Sequence, residues 1–295
     1  MLDCIIIGKG PAGLSAGIYT SMANVKTLVI GKDSPLQKSE KIQNYFGFEE
    51  VISGQQLIQR GINQAKTTGC EILNDMVIAI DILDNSFNIL TAENGFFDTK
   101  SILLATGNNR NTVYINNLEK FEGKGISYCT TCDGFFFKNK KVGIIGNTDY
   151  TIHESNELLN FTKNITILTN GNEFKSHSES NNAIKNNKIV SFEGENNLEY
   201  IIYDNGEKEQ FDGIFIAQDY PTASDFIKKL GLNSKNGLLT INDQFMTNIK
   251  GIFAAGDIVN DFKQISTAVG SGANSAKYII KYVNDFWKCP KNFKT

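Results

Sequence analysis

The stretch Cys4-Ile5-Ile6-Ile7-Gly8-Lys9-Gly10-Pro11-Ala12-Gly13 constrains this chain more than any other. Its short apolar run, rich in β-branched residues, predicts a strand. The GxGxxG spacing then demands a tight turn, because glycine lets the backbone bend and come close to a ligand where a side chain would obstruct it. Leu14-Ser15-Ala16-Gly17-Ile18-Tyr19 reads as the helix that follows, and Val25 to Ile30 supplies a second strand, completing a βαβ unit. Such a unit aims free N–H groups and the positive end of a helix dipole at a pyrophosphate, so it predicts a dinucleotide site at Gly8, Gly10, Pro11, Ala12 and Gly13. An acidic residue is expected near the end of the second strand to hold a ribose hydroxyl. Gly31-Lys32-Asp33 stands there instead, which leaves that task to Asp33 from the loop or to other groups.

Downstream, Glu71-Ile72-Leu73 and Met76 to Ile82 read as paired strands, and Ser101 to Gly107 as an apolar strand whose Thr106-Gly107 ending suits the ligand edge of a sheet. The pattern returns near the end of the chain. Gly251 to Ala255 is an apolar strand followed by Gly256-Asp257, where a carboxylate can accept a hydrogen bond from a sugar or ribityl hydroxyl. Lys263-Gln264-Ile265 then leads into a small-residue helix from Gly270 to Ile280. The chain is therefore expected to come back to its first domain after an excursion.

Within that excursion lies Cys129-Thr130-Thr131-Cys132-Asp133-Gly134. Two cysteines separated by two residues can close a small disulfide, and in a chain without a secretory pattern that spacing points to a redox dithiol. Half a zinc site is the bland alternative, but Cys4, Cys70 and Cys289 are scattered singly and His153 and His177 are the only histidines, so no metal is expected. A net charge of -3 argues against nucleic-acid binding. No run approaches the roughly twenty apolar residues that cross a bilayer, and no leader is evident, so a cytoplasmic location away from membranes is expected.

Taken together, the glycine turn Gly8 to Gly13, Ala105-Thr106-Gly107, the Cys129 to Gly134 centre and Gly251 to Asp257 resemble, in order and spacing, the low-molecular-weight thioredoxin reductases across essentially the whole chain. The resemblance implies an α/β protein of two Rossmann-like, three-layer ββα domains. Residues 1–113 and 244–295 would form a discontinuous FAD domain, and residues 114–243 an inserted domain like a nucleotide-binding one, carrying the dithiol. FAD would occupy the first glycine motif, with further contacts from Gln37, Asn44, Val77, Thr106, Gly107, Gly256, Asp257, Lys263, Gln264 and Ile265. A homodimer is also implied.

The middle of the chain departs from the family pattern. Lys141 to Gly146 is the strand of a second glycine motif, but it continues Asn147-Thr148-Asp149-Tyr150-Thr151, so only the first glycine remains. Thr148 sets a branched side chain where a pyrophosphate needs bare backbone, Thr151 replaces a small packing residue, and Asp149 adds negative charge. The basic clamp of the family is replaced by Thr169-Asn170-Gly171, and Arg60 and Arg110 are the only arginines in the chain. Bidentate phosphate recognition is an arginine speciality. These losses point away from NADPH and toward the ferredoxin-dependent flavin thioredoxin reductases, with ferredoxin or flavodoxin as donor. The energetics agree in sign: a plant-type ferredoxin near roughly -400 mV and thioredoxin near roughly -270 mV differ by about 6 kcal/mol for two electrons.

The family further implies that Cys132 is the sulfur facing the flavin and Cys129 the thiolate that attacks thioredoxin. Asp133 is the candidate general acid, a role that needs a carboxyl kept protonated by burial, with a helix cap before Gly134 as its structural alternative. Phe135-Phe136-Phe137 reads first as core and second as the lining of a partner groove, and Phe286, Trp287 and Phe293 form an aromatic tail. Three functions follow: a ferredoxin-linked thioredoxin reductase, an NAD(P)H-dependent one with an atypical nucleotide site, and a flavoprotein redox sensor without turnover.

Overall fold

Four-residue runs such as Cys4–Ile7, Thr27–Ile30 and Val142–Ile145 are buried at every position, the signature of parallel strands covered on both faces. The computed structural model describes residues 1–107 and 113–288, the side chains at 224 and 286–288 excepted. It divides into two compact units, Met1–Asn109 with Leu230–Thr295, and Arg110–Lys229.

In the first unit a five-stranded parallel sheet runs in the order Ile252–Ala254, Ile102–Leu104, Cys4–Ile7, Thr27–Ile30, Glu71–Leu73. The strand that enters the glycine turn is thus central, and the strand ending at Ala254 reaches the same edge from the far end of the chain. Three antiparallel strands, Val77–Ile82, Phe87–Thr91 and Gly95–Thr99, form a second layer, and helices Pro11–Met22, Gly54–Thr67 and Ile265–Tyr282 a third. Ile6, Leu14, Val29, Ile58, Leu103, Phe253 and Ile279 are buried in one core. The first and last helices pack closely because their contact positions are small: a Cβ on Gly272 would lie 2.2 Å from the Ala12 carbonyl oxygen, and Ser15 Oγ donates to the Val269 carbonyl at 2.9 Å.

The expected pairing of Glu71–Leu73 with the strand after it is corrected. Glu71–Leu73 pairs with Thr27–Ile30 in the parallel sheet, whereas Val77–Ile82 pairs with Phe87–Thr91 in the antiparallel one. Asp75 makes the transfer: its buried carboxylate accepts from the backbone N–H of Met76 and Asn94 at 2.7 and 3.1 Å and from Asn94 Nδ2 at 2.7 Å. Burial alone would raise this carboxyl, but these bonds hold it below the usual range.

The second unit repeats the plan. Its parallel sheet is ordered Ala183–Lys185, Ile165–Leu168, Val142–Ile145, Gly213–Ile216, Ile126–Ser127, with Ile189–Glu193, Tyr200–Tyr203 and Lys208–Gln210 as the antiparallel layer. Helix Asp149–Leu158 follows its central strand, as Pro11–Met22 follows that of the first unit. The chain leaves this unit at Lys229, ahead of position 244, because the segment after it is bound to the first unit: Asn233 N–H donates to Asn248 Oδ1, and Leu239 N–H to the Ile258 carbonyl. Among the described residues no helix is long and apolar enough to cross a membrane.

Candidate active site: a glycine cradle and a disulfide

At the first glycine turn the backbone is crowded in some places and open in one. Gly8 has φ +118°, and a Cβ there would lie 2.2 Å from the Ala105 carbonyl oxygen; one on Gly13 would lie 1.9 Å from the carbonyl oxygen of Gly8. Gly10 differs, since the nearest atom to a Cβ there is Ser34 Oγ at 3.6 Å. It caps helix Pro11–Met22 without any side-chain hydrogen bond, and the first turn carries no acidic residue. Pro11, lacking an N–H, starts the helix, and Ala12 is buried. No acidic side chain in the first turn offsets the positive end of this helix dipole.

Other predicted residues gather at this edge. Thr106 is adjacent through the Ala105 contact, and its Oγ1 is buried without a partner. A Cβ on Gly256 would lie 2.9 Å from Ala12 Cβ, and its φ of +85° suits the turn that leads to Asp257. Burial raises the Asp257 carboxyl, partly offset by the charge of Lys263. Gln264 caps the last helix just before Ile265 and accepts from Asn44 Nδ2 at 2.9 Å. Gln37 accepts from the Ser34 N–H at 2.7 Å. Gly107 has φ +73° with open space around it. Val77 is buried at the start of its strand.

Two features here escaped the sequence reading. Gly31 stands where an acid was expected because a Cβ there would meet the Lys9 backbone nitrogen at 2.7 Å. Lys9 itself is largely buried and donates to Asn74 Oδ1 at 2.7 Å; burial lowers its ammonium, an effect opposed by Asp33.

In the second unit Cys129 and Cys132 form a disulfide on a short helix, Thr130–Asp133. Cys132 is exposed and Cys129 is only 2% exposed. The Cys132 N–H donates to Cys129 Sγ at 3.1 Å, a contact that would stabilise a thiolate there. Asp133 is half-buried and makes no side-chain cap bond to the following turn, so the capping alternative does not hold; its Oδ2 accepts from Ser127 Oγ at 2.6 Å instead. Ser127 Oγ also accepts from the Cys129 N–H at 3.1 Å, which makes this serine, unforeseen in the sequence, the link between thiol and carboxylate. Tyr128 donates to Glu122, and burial followed by that bond holds its phenol well above the usual range.

Among the described residues the other cysteines, Cys4 and Cys70, are free and buried. Burial pushes the Cys4 thiol up to about 12 and raises that of Cys70 as well. Cys289 and Phe293 lie outside the described residues, as do the side chains of Phe286 and Trp287. Among the described residues no three His, Cys, Asp or Glu gather as for a metal ion. Phe137 is half-buried and packs edge-on against the buried Phe215, while Phe135 and Phe136 are exposed, so only the last of the three aromatics packs against the core.

The second glycine turn is filled from within. A Cβ on Gly146 would lie 2.2 Å from the Ala217 carbonyl oxygen and 2.3 Å from Thr151 Oγ1. Thr151 Oγ1 accepts from the Thr148 N–H at 3.2 Å and donates to the Ala217 carbonyl at 2.9 Å, and Thr148 Oγ1 donates to the Asp219 carbonyl. Asp149, 4% exposed in the first turn of the helix, accepts from Ser176 Oγ, His177 N–H and Ser178 N–H at 2.8, 2.9 and 3.1 Å.

Residues 2–272 match the model of the pyridine nucleotide-disulphide oxidoreductases, and the chain is 30% identical to a thioredoxin reductase of Bacillus subtilis over 312 residues, covering 99% of this chain and 98% of that protein. The chain belongs to the thioredoxin reductases of this family. Among solved structures, this thioredoxin reductase resembles the atypical thioredoxin reductase of Desulfovibrio vulgaris Hildenborough, with a TM-score of 0.91 and 37% identity over 99% of this chain and 100% of that one. It also resembles a ferredoxin-flavin thioredoxin reductase of Clostridium acetobutylicum, with a TM-score of 0.70 and 27% identity over 96% and 98% of the two chains.

Thioredoxin reductases of this family are FAD flavoproteins, and the uncapped helix, the partnerless Thr106 hydroxyl and the half-buried Asp257 fit that cofactor. The comparisons correct one expectation, that NADPH is unlikely. The matching family is one of pyridine nucleotide enzymes, and the match runs through the whole central unit, so missing glycines and arginines do not by themselves rule out a nicotinamide nucleotide.

Proposed function

We infer that this thioredoxin reductase takes its electrons from a ferredoxin or flavodoxin and delivers them to thioredoxin through Cys129 and Cys132. The observation that carries the reading is the second glycine turn, which is filled by Thr148 and Thr151, bonded to the carbonyls of Asp219 and Ala217, with the Asp149 carboxylate buried in the first turn of the helix and bound by the 176–178 segment. The likeness to a ferredoxin-flavin thioredoxin reductase supports it. When bound, FAD supplies a ring that accepts single electrons and passes on a pair. Gly8, Gly10, Pro11, Ala12 and Gly13 would hold its pyrophosphate, and Asp257 a ribityl hydroxyl. Gln37, Asn44, Val77, Thr106, Gly107, Gly256, Lys263, Gln264 and Ile265 would complete the surround.

Two electrons and two protons open the Cys129–Cys132 bond. Exposed Cys132 is the sulfur that meets the incoming pair, and Asp133, tied to Ser127, hands on the proton. Cys129, uncovered by a change of conformation, then attacks a sulfur of the thioredoxin disulfide as its thiolate. That disulfide breaks, its leaving thiolate takes up a proton, and Cys132 displaces reduced thioredoxin as the Cys129–Cys132 bond re-forms. The working assembly is proposed to be a homodimer, which sedimentation of the FAD-loaded protein would show.

Turnover is the test. FAD-loaded protein and thioredoxin, supplied with catalytic ferredoxin held reduced, should release thioredoxin thiols without any nucleotide. The second reading, favoured by the family match through the central unit, is a nicotinamide nucleotide as donor. Thiol release with NADPH and none with ferredoxin would overturn the first reading in favour of it.

A further inference from the structure

Behind the disulfide lies a buried charge that thiol exchange does not itself require. Glu154, on helix Asp149–Leu158, is 1% exposed. Its Oε2 accepts from Thr130 Oγ1 at 2.6 Å, and its Oε1 pairs with Lys229 Nζ and lies 3.9 Å from His153 Nε2. Lys229 is itself largely covered and lies 4.7 Å from the centre of the Tyr150 ring. Burying two opposite charges is commonly no better for stability than packing two apolar side chains of similar volume, so stability alone gives little reason for this pair.

The carboxylate's other partner suggests a reason. Thr130 follows Cys129 directly and opens the four-residue helix in which the Cys132 N–H points at Cys129 Sγ. Tethering Thr130 to a buried, charge-compensated carboxylate fixes the start of that turn. The geometry points to Glu154 as a positioning residue for the dithiol: by holding Thr130 it keeps the Cys132 N–H aimed at Cys129 Sγ, and so increases the share of Cys129 present as thiolate.

This rests on Cys129 being the sulfur that exchanges with thioredoxin. Several other ionisable groups face the redox helix or stand beside it. They are Asp133 on the helix itself, His153 and Tyr150 on helix Asp149–Leu158, Asp225, Lys228 and Lys229 on helix Ala223–Lys229, and Tyr128 with its partner Glu122. Two effects of Glu154 therefore oppose each other. Its negative charge alone would disfavour a thiolate, whereas its hold on Thr130 favours one, and the sign of the response separates them.

The experiment follows alkylation of Cys129 by iodoacetamide against pH, read by peptide mass spectrometry, in FAD-loaded protein carrying Cys132→Ser so that the thiol stays free. Thr130→Val should move the midpoint up by about one pH unit, a tenfold loss of thiolate at neutral pH, and Thr130→Ser should restore it. Glu154→Leu combined with Lys229→Met, which removes the pair without net change of charge, should shift it upward as well. Unchanged midpoints in Thr130→Val, or a downward shift in the double variant, would overturn the proposal. Should the double variant fail to fold, the contrast between Thr130→Val and Thr130→Ser decides. If wild-type protein failed to reduce thioredoxin while the midpoints moved as expected, the exchange role of Cys129 would fall and the positioning role would stand.

Discussion

Helices Pro11–Met22 and Asp149–Leu158 each follow the central strand of a five-stranded parallel sheet through a turn that begins with glycine, yet their N-terminal ends are finished differently. Neither capping residue, Gly10 or Thr148, makes a side-chain cap bond; beside the first the buried Thr106 hydroxyl has no partner, and at the second Asn147 Oδ1 and the Tyr150 hydroxyl have none. In the second, Thr151 and Thr148 bond to the carbonyls of Ala217 and Asp219, and Asp149 is bound by the 176–178 segment. Buried atoms without a partner thus occur at both turns, and the difference lies in what fills them: the second is occupied by its own Thr148, Thr151 and Asp149, where the first has glycine, alanine and proline. On the reading proposed above, one architecture would hold the cofactor in one unit and carry the dithiol in the other.

The largest effect expected concerns the use to which the second unit is put. Cys129→Ser should cut thioredoxin reduction at least about a thousandfold while leaving FAD content unchanged, measured as thiol release beside the flavin absorbance of the purified protein. Retained turnover would remove the dithiol from the electron path.

Next come the glycines. Gly13→Ala places a Cβ 1.9 Å from the Gly8 carbonyl and should disrupt the turn itself, with flavin content falling at least about tenfold and the melting temperature falling with it. Gly10→Ala meets nothing nearer than 3.6 Å, so it should leave the melting temperature of the flavin-free protein intact and still weaken FAD binding. Unaltered affinity in Gly10→Ala would show that no phosphate approaches there.

A smaller effect sharpens the other side of the contrast. Replacing Thr148 and Thr151 together by Ala removes the bonds to Asp219 and Ala217 and should cost about 1–3 kcal/mol of stability, seen in urea denaturation, with flavin content unaffected. Flavin loss in that variant would mean that the two turns are not independent.

The smallest is a pH effect at Asp149. Burial would raise its carboxyl, but the bonds from Ser176 and His177, then the backbone of His177 and Ser178, hold it below the usual range. A carboxyl lowered in the folded state contributes stability above its unfolded value, and that contribution fades as pH falls through the folded one. Asp149→Asn should therefore be less stable than wild type at neutral pH, with the gap narrowing toward acid; a gap that is constant with pH would contradict the assignment.

Much of this was legible in residue order. The glycine turn, the Thr106-Gly107 and Gly256-Asp257 endings and the CxxC pair are local patterns whose spacing carries their geometry, and the structure places the glycines and these endings at one sheet edge. What stayed hidden was long-range. Glu154 is 24 residues from the Thr130 it holds, and nothing in its helix distinguishes it from a solvated carboxylate until the fold buries it. Ser127 gave no signal because a lone serine before a cysteine is compatible with any role. The mispaired strands at 71–82 failed for a related reason: two neighbouring β-rich runs suggest each other, and only the Asp75 turn sends them into different sheets. The expectation that NADPH is unlikely went too far, since absent arginines and glycines describe a motif and not the whole surface that can meet a nucleotide.

The reductive half-reaction tests the central claim most directly. FAD-loaded protein mixed anaerobically with reduced ferredoxin or flavodoxin, in a stopped-flow instrument, should show its flavin bleach within the time of one turnover, followed by thiol formation at Cys129 and Cys132, with no nucleotide present. A flavin left oxidised by both carriers would contradict it.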